Sequence, residues 1–230
     1  MSDPELLWRA SMVPRVEEYP FQRVPKVAFL FLTRGPLPFA PLWERFFRGH
    51  EGLFSVYVHA LPGYKPPPPN LLFKGRHIPN RDVSWGSITL VDAEKRLLAN
   101  ALLDWSNQRF VLVSESCVPV FNFRTVEYLV NAARSHVESY NLDVPQCAGR
   151  YNPRMAPDVA EDQWRKGSEW FELSRDLAVD VVLPRRALHP DAAARARPRR
   201  AQRQPHPHPR VHRRHPQQRN AIPFFNSASY

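Results

Sequence analysis

The sequence predicts an α/β fold, a sheet of buried strands flanked by helices, and three observations carry that expectation. Continuous apolar runs recur at Lys26–Thr33, Phe54–Val58 and Phe110–Val113, and runs without polar alternation mark strands covered on both faces. Between the last two lies Leu90–Trp105, where Leu90, Val91, Glu94, Leu97, Leu98, Ala101, Leu102 and Trp105 recur at helical spacing. The 230 residues, 43% of them apolar, are enough to bury such a core.

Residues 1–23 read as a polar, proline-punctuated lead-in. The strand from Lys26 feeds a loop at Thr33-Arg34-Gly35-Pro36. Pro41 then opens a helix, because its fixed φ suits a first turn, with Leu42, Trp43, Phe46 and Phe47 as its stripe and Gly49 as its stop. Phe54–Val58 completes a strand, helix, strand unit of parallel-crossover length. Leu61–Asn70, with its run Pro66–Pro69, is a stiff surface loop. The long helix after Ser84-Trp85-Gly86-Ser87 takes Thr89 as its cap, with Asp92 three residues on.

Phe110–Val113 runs into Ser114-Glu115-Ser116-Cys117, which puts polar groups at the carboxyl end of a buried strand. Open α/β sheets bind ligands at that edge. Asn122 caps a helix carrying Val126, Leu129, Val130 and Ala133. Asn141–Asp162 is a turn-rich connection and Trp164–Leu173 an extended piece. Ser174 caps a last helix with Leu177, Ala178, Val181 and Val182 as its face.

The net charge of +10 is local. Residues 184–230 hold 11 Arg, no Lys and a single acid, with 8 Pro and 5 His, while Met1–Leu183 carries 21 basic and 21 acidic residues. The chain therefore divides into the lead-in 1–23, a domain 24–183 and an Arg/Pro/His-rich tail 184–230 whose composition cannot bury a core. Arg without Lys is also what an out-of-frame reading of GC-rich coding sequence yields. No specific nucleic-acid partner is expected; the rival readings are an RNA or anionic-surface binder acting through the tail, or an unstable inactive fragment. No charged leader precedes an apolar run at the start, and no apolar stretch has the length of a bilayer span, so the expectation for the chain as written is no address and no anchor, and a cytoplasmic setting.

No phosphate-binding glycine loop occurs, and neither does an Asp-x-Asp pair of the kind that holds a divalent cation against a diphosphate. Asp92-Ala-Glu94 comes nearest, but acids in a first helical turn commonly complement the dipole. Four rim positions remain. Arg34 beside Thr33 could meet a phosphate or uracil, or simply be solvated. His59 could contact a ligand or be a structural histidine. Ser84-Trp85 could stack on a base or anchor its loop, and Glu115 could hold sugar hydroxyls or cap a turn.

The segments Val24–Pro38, Pro41–His50, Tyr57–Ala60, Ala93–Leu103, Phe110–Pro119 and Gln163–Phe171 closely resemble the plant core-2/I-branching β-1,6-N-acetylglucosaminyltransferase-like family, in order from about Glu5 to Val182. The resemblance implies a GT-A-like fold, a UDP-sugar donor such as UDP-GlcNAc, a glycan or glycoprotein acceptor, inversion at the anomeric carbon, no metal cofactor, and a Golgi membrane setting. It places the donor near Thr33, Arg34, His59, Ser84 and Trp85, and the acceptor side at Glu115, Arg150, Glu169 and Trp170. The family's Asp-Glu-His-Tyr-type motif, whose Glu serves as general base, and its later basic residues do not occur after Val182, so impaired transfer is expected.

Overall fold

The structure, a computed structural model, describes residues 1–14, 19–64, 72–84, 86–132, 135–137, 149–167, 169–183 and 225–227. In chain order the elements are α1 (Asp3–Ser11), β1 (Lys26–Leu32), α2 (Ala40–Phe47), β2 (Phe54–His59), α3 (Ile88–Leu102), β3 (Asn107–Ser114), β4 (Cys117–Pro119), α4 (Phe123–Ala132), β5 (His136–Val137), β6 (Phe171–Ser174), α5 (Arg175–Val182) and β7 (Phe225–Ser227). The expected α/β class holds.

Five strands form one sheet in the order β2-β1-β3-β6-β5. β1 is parallel to both β2 and β3, whereas β6 runs antiparallel to β3 and β5 antiparallel to β6. Side chains alternate across a strand, so Val27, Phe29 and Phe31 join Val111 and Val113 on one face, under Trp43 and Phe47 of α2 and Phe123 and Val126 of α4. Ala28 and Leu30 join Phe110 and Leu112 on the other, under α1, α3 and α5. Both faces are covered, which is why the strand sequences lack polar alternation. Truncating a fully buried Leu such as Leu98 or Leu102 to Ala would cost about 2–5 kcal/mol.

The stretch read as a lead-in contains a helix. Ser2 Oγ accepts the Glu5 N–H at 3.4 Å, and Asp3 and Glu5 favour the first turn. Only Leu6 and Ala10 of α1 are buried, too short an apolar stripe to stand out from the sequence. The cap of α3 is Ser87, whose Oγ accepts the Thr89 N–H at 3.3 Å; Thr89 instead accepts the Ser84 N–H at 3.0 Å. Starting at Ile88, α3 leaves Asp92 and Glu94 beyond its first turn, so the dipole reading of that pair does not hold.

Leu42 of α2 faces outward, and so do Val91 of α3 and the Trp105 that follows it. The buried face of α5 is Arg175, Ala178, Val179 and Val182, a spacing of three and four that leaves Leu177 and Val181 outward. Asn122 caps α4 as expected, its Oδ1 accepting the Thr125 N–H at 2.9 Å, while the side chain of Ala133 lies outside the described residues. The strand expected over Trp164–Leu173 is confined to Phe171–Ser174. Pro66–Pro69 and most of the tail 184–230 lie outside the described residues, but Phe225–Ser227 pairs antiparallel with β4.

Candidate functional site at the carboxyl rim

The strand order creates a switch point. From β1 the chain crosses by way of α2 to β2 on one side, then returns through α3 to β3 on the other, and the connections diverge at the carboxyl ends of β1 and β3. Ligands of open α/β sheets sit in that crevice. Here it is a cavity of about 270 Å³ lined by Leu32, Thr33, Arg34, His59, Leu61, Val83, Leu90, Ser114, Glu115, Ser116, Glu169 and Trp170. That lies near the lower end of the ~300–1,000 Å³ typical of small-molecule sites.

Backbone geometry fixes the walls. The Thr33 N–H donates to the His59 carbonyl at 2.9 Å, which locks the ends of β1 and β2 together, and Thr33 Oγ1 donates to the Gly35 carbonyl at 3.3 Å. At the end of β3, the Ser114 and Ser116 hydroxyls lie 2.8 Å apart, and Ser114 Oγ also accepts the Ser116 N–H at 3.2 Å. The turn thereby presents half-buried Glu115 at the cavity. His59 is buried; its Nε2 accepts the Arg81 N–H at 3.2 Å.

The electrostatics are carboxylate-rich. Desolvation, then the charge of Glu115, holds the Glu169 carboxyl above its ordinary range. Behind the cavity, one turn after Leu90, half-buried Glu94 is pushed up to about 7 by burial first and by Glu169 second. Desolvation holds the His59 ring below the usual histidine range. The wall therefore offers hydroxyl, imidazole and carboxylate groups suited to a polyol or a nucleoside, an aromatic surface at Trp170, and the exposed guanidinium of Arg34 at its mouth.

Of the residues expected from the sequence, Thr33, Arg34, His59, Glu115, Glu169 and Trp170 come together on this cavity. Ser84 is exposed beside Val83 without lining it, Trp85 lies outside the described residues, and Arg150 is exposed and not part of the wall. Ser114 and Ser116, expected as polar groups at this edge, line it too, whereas Leu32, Leu61, Val83, Leu90 and the nearby Glu94 were not assigned to the site. Glu94 had one signal, a charged residue inside the apolar stripe of α3. Among the described residues, no cluster of three or more His, Cys, Asp or Glu side chains is placed to hold a metal ion, and no helix is long and apolar enough to cross a membrane.

A family model described as Core-2/I-Branching enzyme matches residues 27–190, which include every residue lining the cavity. A rice protein (Oryza sativa subsp. japonica) named Glycosyltransferase BC10 is 44% identical over 163 residues, 68% of this chain. The chain's match spans 40% of the length of that relative.

Proposed function

We propose a donor-binding role from one premise: the chain belongs to the Core-2/I-Branching enzyme family, with a GT-A-like α/β fold. In this reading the rim cavity takes the uridine diphosphate end of a UDP-sugar, and the reaction served is transfer of N-acetylglucosamine or a related sugar to a glycan acceptor. The observation that supports it most is the convergence of Thr33, Arg34, His59, Glu115, Glu169 and Trp170 on one cavity at the switch point, within the family-matched segment.

The proposed chemistry is a displacement with inversion. An acceptor hydroxyl attacks the anomeric carbon, the bond to the diphosphate oxygen breaks, UDP leaves with the bonding electrons, and the hydroxyl proton passes to a base. In this proposal Arg34 meets the anionic part of the donor, Trp170 stacks on a flat or sugar face, and Glu115 and Glu169 accept from sugar hydroxyls. We assign the reaction to a metal-independent class, in a Golgi membrane setting. The proposal includes impaired turnover by the 230-residue chain, on the ground that the general-base motif of the family resemblance is not found among residues 184–230.

Two measurements on the full chain test this. UDP should raise the melting midpoint, because a ligand that binds the native state stabilises it by mass action, and radiolabelled UDP-GlcNAc should give little transfer to a glycan acceptor. No shift of the midpoint at millimolar UDP would remove the donor-binding reading; many turnovers would remove the impairment.

A further inference from the structure

Arg96 of α3 keeps only 6% of its surface exposed, and a guanidinium held out of water needs an anion and acceptors close by. Its anion is Asp3, in the first turn of α1, whose Oδ1 forms an ion pair with Nη1. Nη2 donates to the Pro79 carbonyl, and the buried Nε has no hydrogen-bond partner. Asp3 and Pro79 therefore carry the compensation of this charge. The second carboxylate oxygen of Asp3 lies 3.5 Å from Arg81 Nε. One side chain thus joins α1, α3 and the loop that follows Ile78.

That loop reaches the rim cavity. The Ile78 N–H donates to the Val58 carbonyl at 2.9 Å, Asn80 Nδ2 to the Leu61 carbonyl at 3.2 Å and the Arg81 N–H to His59 Nε2 at 3.2 Å. His59, Leu61 and Val83 line the cavity. Asp3 itself stands apart from it, in a separate crevice of about 260 Å³ shared with Asp82 and Asp92.

We infer that α1 is a clasp for the rim cavity and that Asp3 is its positioning residue: by neutralising Arg96 it holds Pro79 and Arg81, and through them the wall at Leu61 and Val83, in the geometry that binds ligand. The inference rests on the reading of the cavity as a uridine diphosphate site. Arg96 is the two-state element. With Asp3 docked, its guanidinium stays inside. Without Asp3, burial disfavours the charge, the long side chain turns its head to water, and the Pro79 carbonyl is released. Only Leu6 and Ala10 of α1 are buried, so the docking of this helix belongs to the low-stability end of the structure, where a bound ligand can shift it.

Three substitutions in the full chain separate the clasp from ordinary stability. Asp3→Asn removes the charge at nearly constant size, and Asp3→Glu keeps it. Glu5→Gln takes an exposed acid from the same turn, where its partner is Arg9 at 3.0 Å. Amide exchange without ligand is read at Arg81 and Ser84, whose N–H groups donate to His59 Nε2 and Thr89 Oγ1. Asp3→Asn should accelerate both by about tenfold relative to Val111 and Leu112 in the sheet. It should also weaken UDP binding, measured by calorimetry, by about fivefold, the lower end of typical coupling between sites. Asp3→Glu should recover most of both, and Glu5→Gln should stay within about twofold of the parent, because exposed pairs contribute little. Parent-like behaviour of Asp3→Asn, equal acceleration at Val111 and Leu112, or the same losses in Glu5→Gln overturns the inference.

The unaltered chain supplies a readout that needs no substitution. Coupling is reciprocal, so UDP should slow exchange in α1, including the Leu6 N–H that donates to the Ser2 carbonyl at 2.9 Å. If UDP protects the amides of Thr33 and Ser114 and leaves α1 unchanged, the inference fails while the cavity reading stands. If UDP protects none of them, the cavity reading fails and the inference with it.

Discussion

The Arg175 guanidinium donates to the Asn107 carbonyl at 2.8 Å, joining the first turn of α5 to the start of β3. Its other N–H groups reach the carbonyls of Leu102 at 2.9 Å, Asp104 at 3.1 Å and Pro14 at 3.3 Å. The end of α3 has carbonyls without intrahelical partners, and this buried arginine, 3% exposed, satisfies them. Arg175→Leu should lower unfolding free energy by about 3 kcal/mol, because several buried carbonyls lose a charged donor at once. Urea denaturation measures it, and a loss under about 1 kcal/mol would mean that water replaces the guanidinium.

Glu94 makes stability fall as the solution becomes less acidic. Its carboxyl titrates near 7 in the fold against 4.5 as a model value, so between those values the native chain holds more protons than the unfolded one. Its contribution is therefore full below pH 4.5 and lost as pH rises through about 7. Glu94→Gln should be more stable than the parent at pH 8 by roughly 2 kcal/mol, with the two converging near pH 4.5. A constant difference across that range would show that Glu169 and burial do not act on Glu94 in this way.

His59 works in the opposite sense. Its pKa is lowered from 6.5, chiefly by desolvation, so the unfolded chain takes up protons first as the solution is acidified. The neutral ring supports the fold above pH 6.5 and that support is lost as pH falls through the depressed value. His59→Asn should remove this component, and the parent-minus-variant difference in urea midpoint between pH 7.5 and 5.5 reads it. A histidine resonance for His59 titrating at or above 6.5 would contradict the assignment.

Glu172, with 0% exposure, lies between Arg109 at 3.4 Å and His136 Nδ1 at 2.7 Å. It bridges β3, β6 and the two-residue β5. Truncating this buried carboxyl takes an acceptor from half-buried Arg109 and from the exposed His136 ring and opens a cavity between the strands, so Glu172→Ala should cost about 1–3 kcal/mol. Amide exchange at His136 and Val137 should accelerate, since among the described residues β6 alone pairs with that short strand. Unchanged exchange would place the stability of β5 elsewhere.

What could be read from sequence follows from how local each signal is. β1 was legible because each of its faces meets a different helical layer, so Val27 to Leu32 carries no polar gap. The sheet order was not, because pairing of β1 with β3 depends on contacts about 80 positions apart along the chain. The face of α5 was misjudged through Arg175: hydropathy puts an arginine outside, yet its guanidinium donates to the carbonyls of Pro14, Leu102, Asp104 and Asn107, and that rotates the buried stripe onto Val179. Asn107 is similar, a polar residue with 0% exposure that accepts from Ser55 at 2.7 Å and donates to Ala101 at 2.8 Å. At the rim, Thr33, His59 and Glu115 stand at or just past the ends of apolar runs and so mark themselves, whereas Leu90 and Val83 look like ordinary helix and loop residues until the cavity brings them together.

The most direct test of the donor-site account is a titration of isotope-labelled full chain with UDP, followed by amide and side-chain chemical shifts. The account predicts saturable changes concentrated at Thr33, Arg34, His59, Ser114, Glu115 and Trp170, with the far end of the sheet around Lys26 and Asn107 unmoved. Changes centred away from the carboxyl ends of β1, β2 and β3, or none at millimolar UDP, would contradict it.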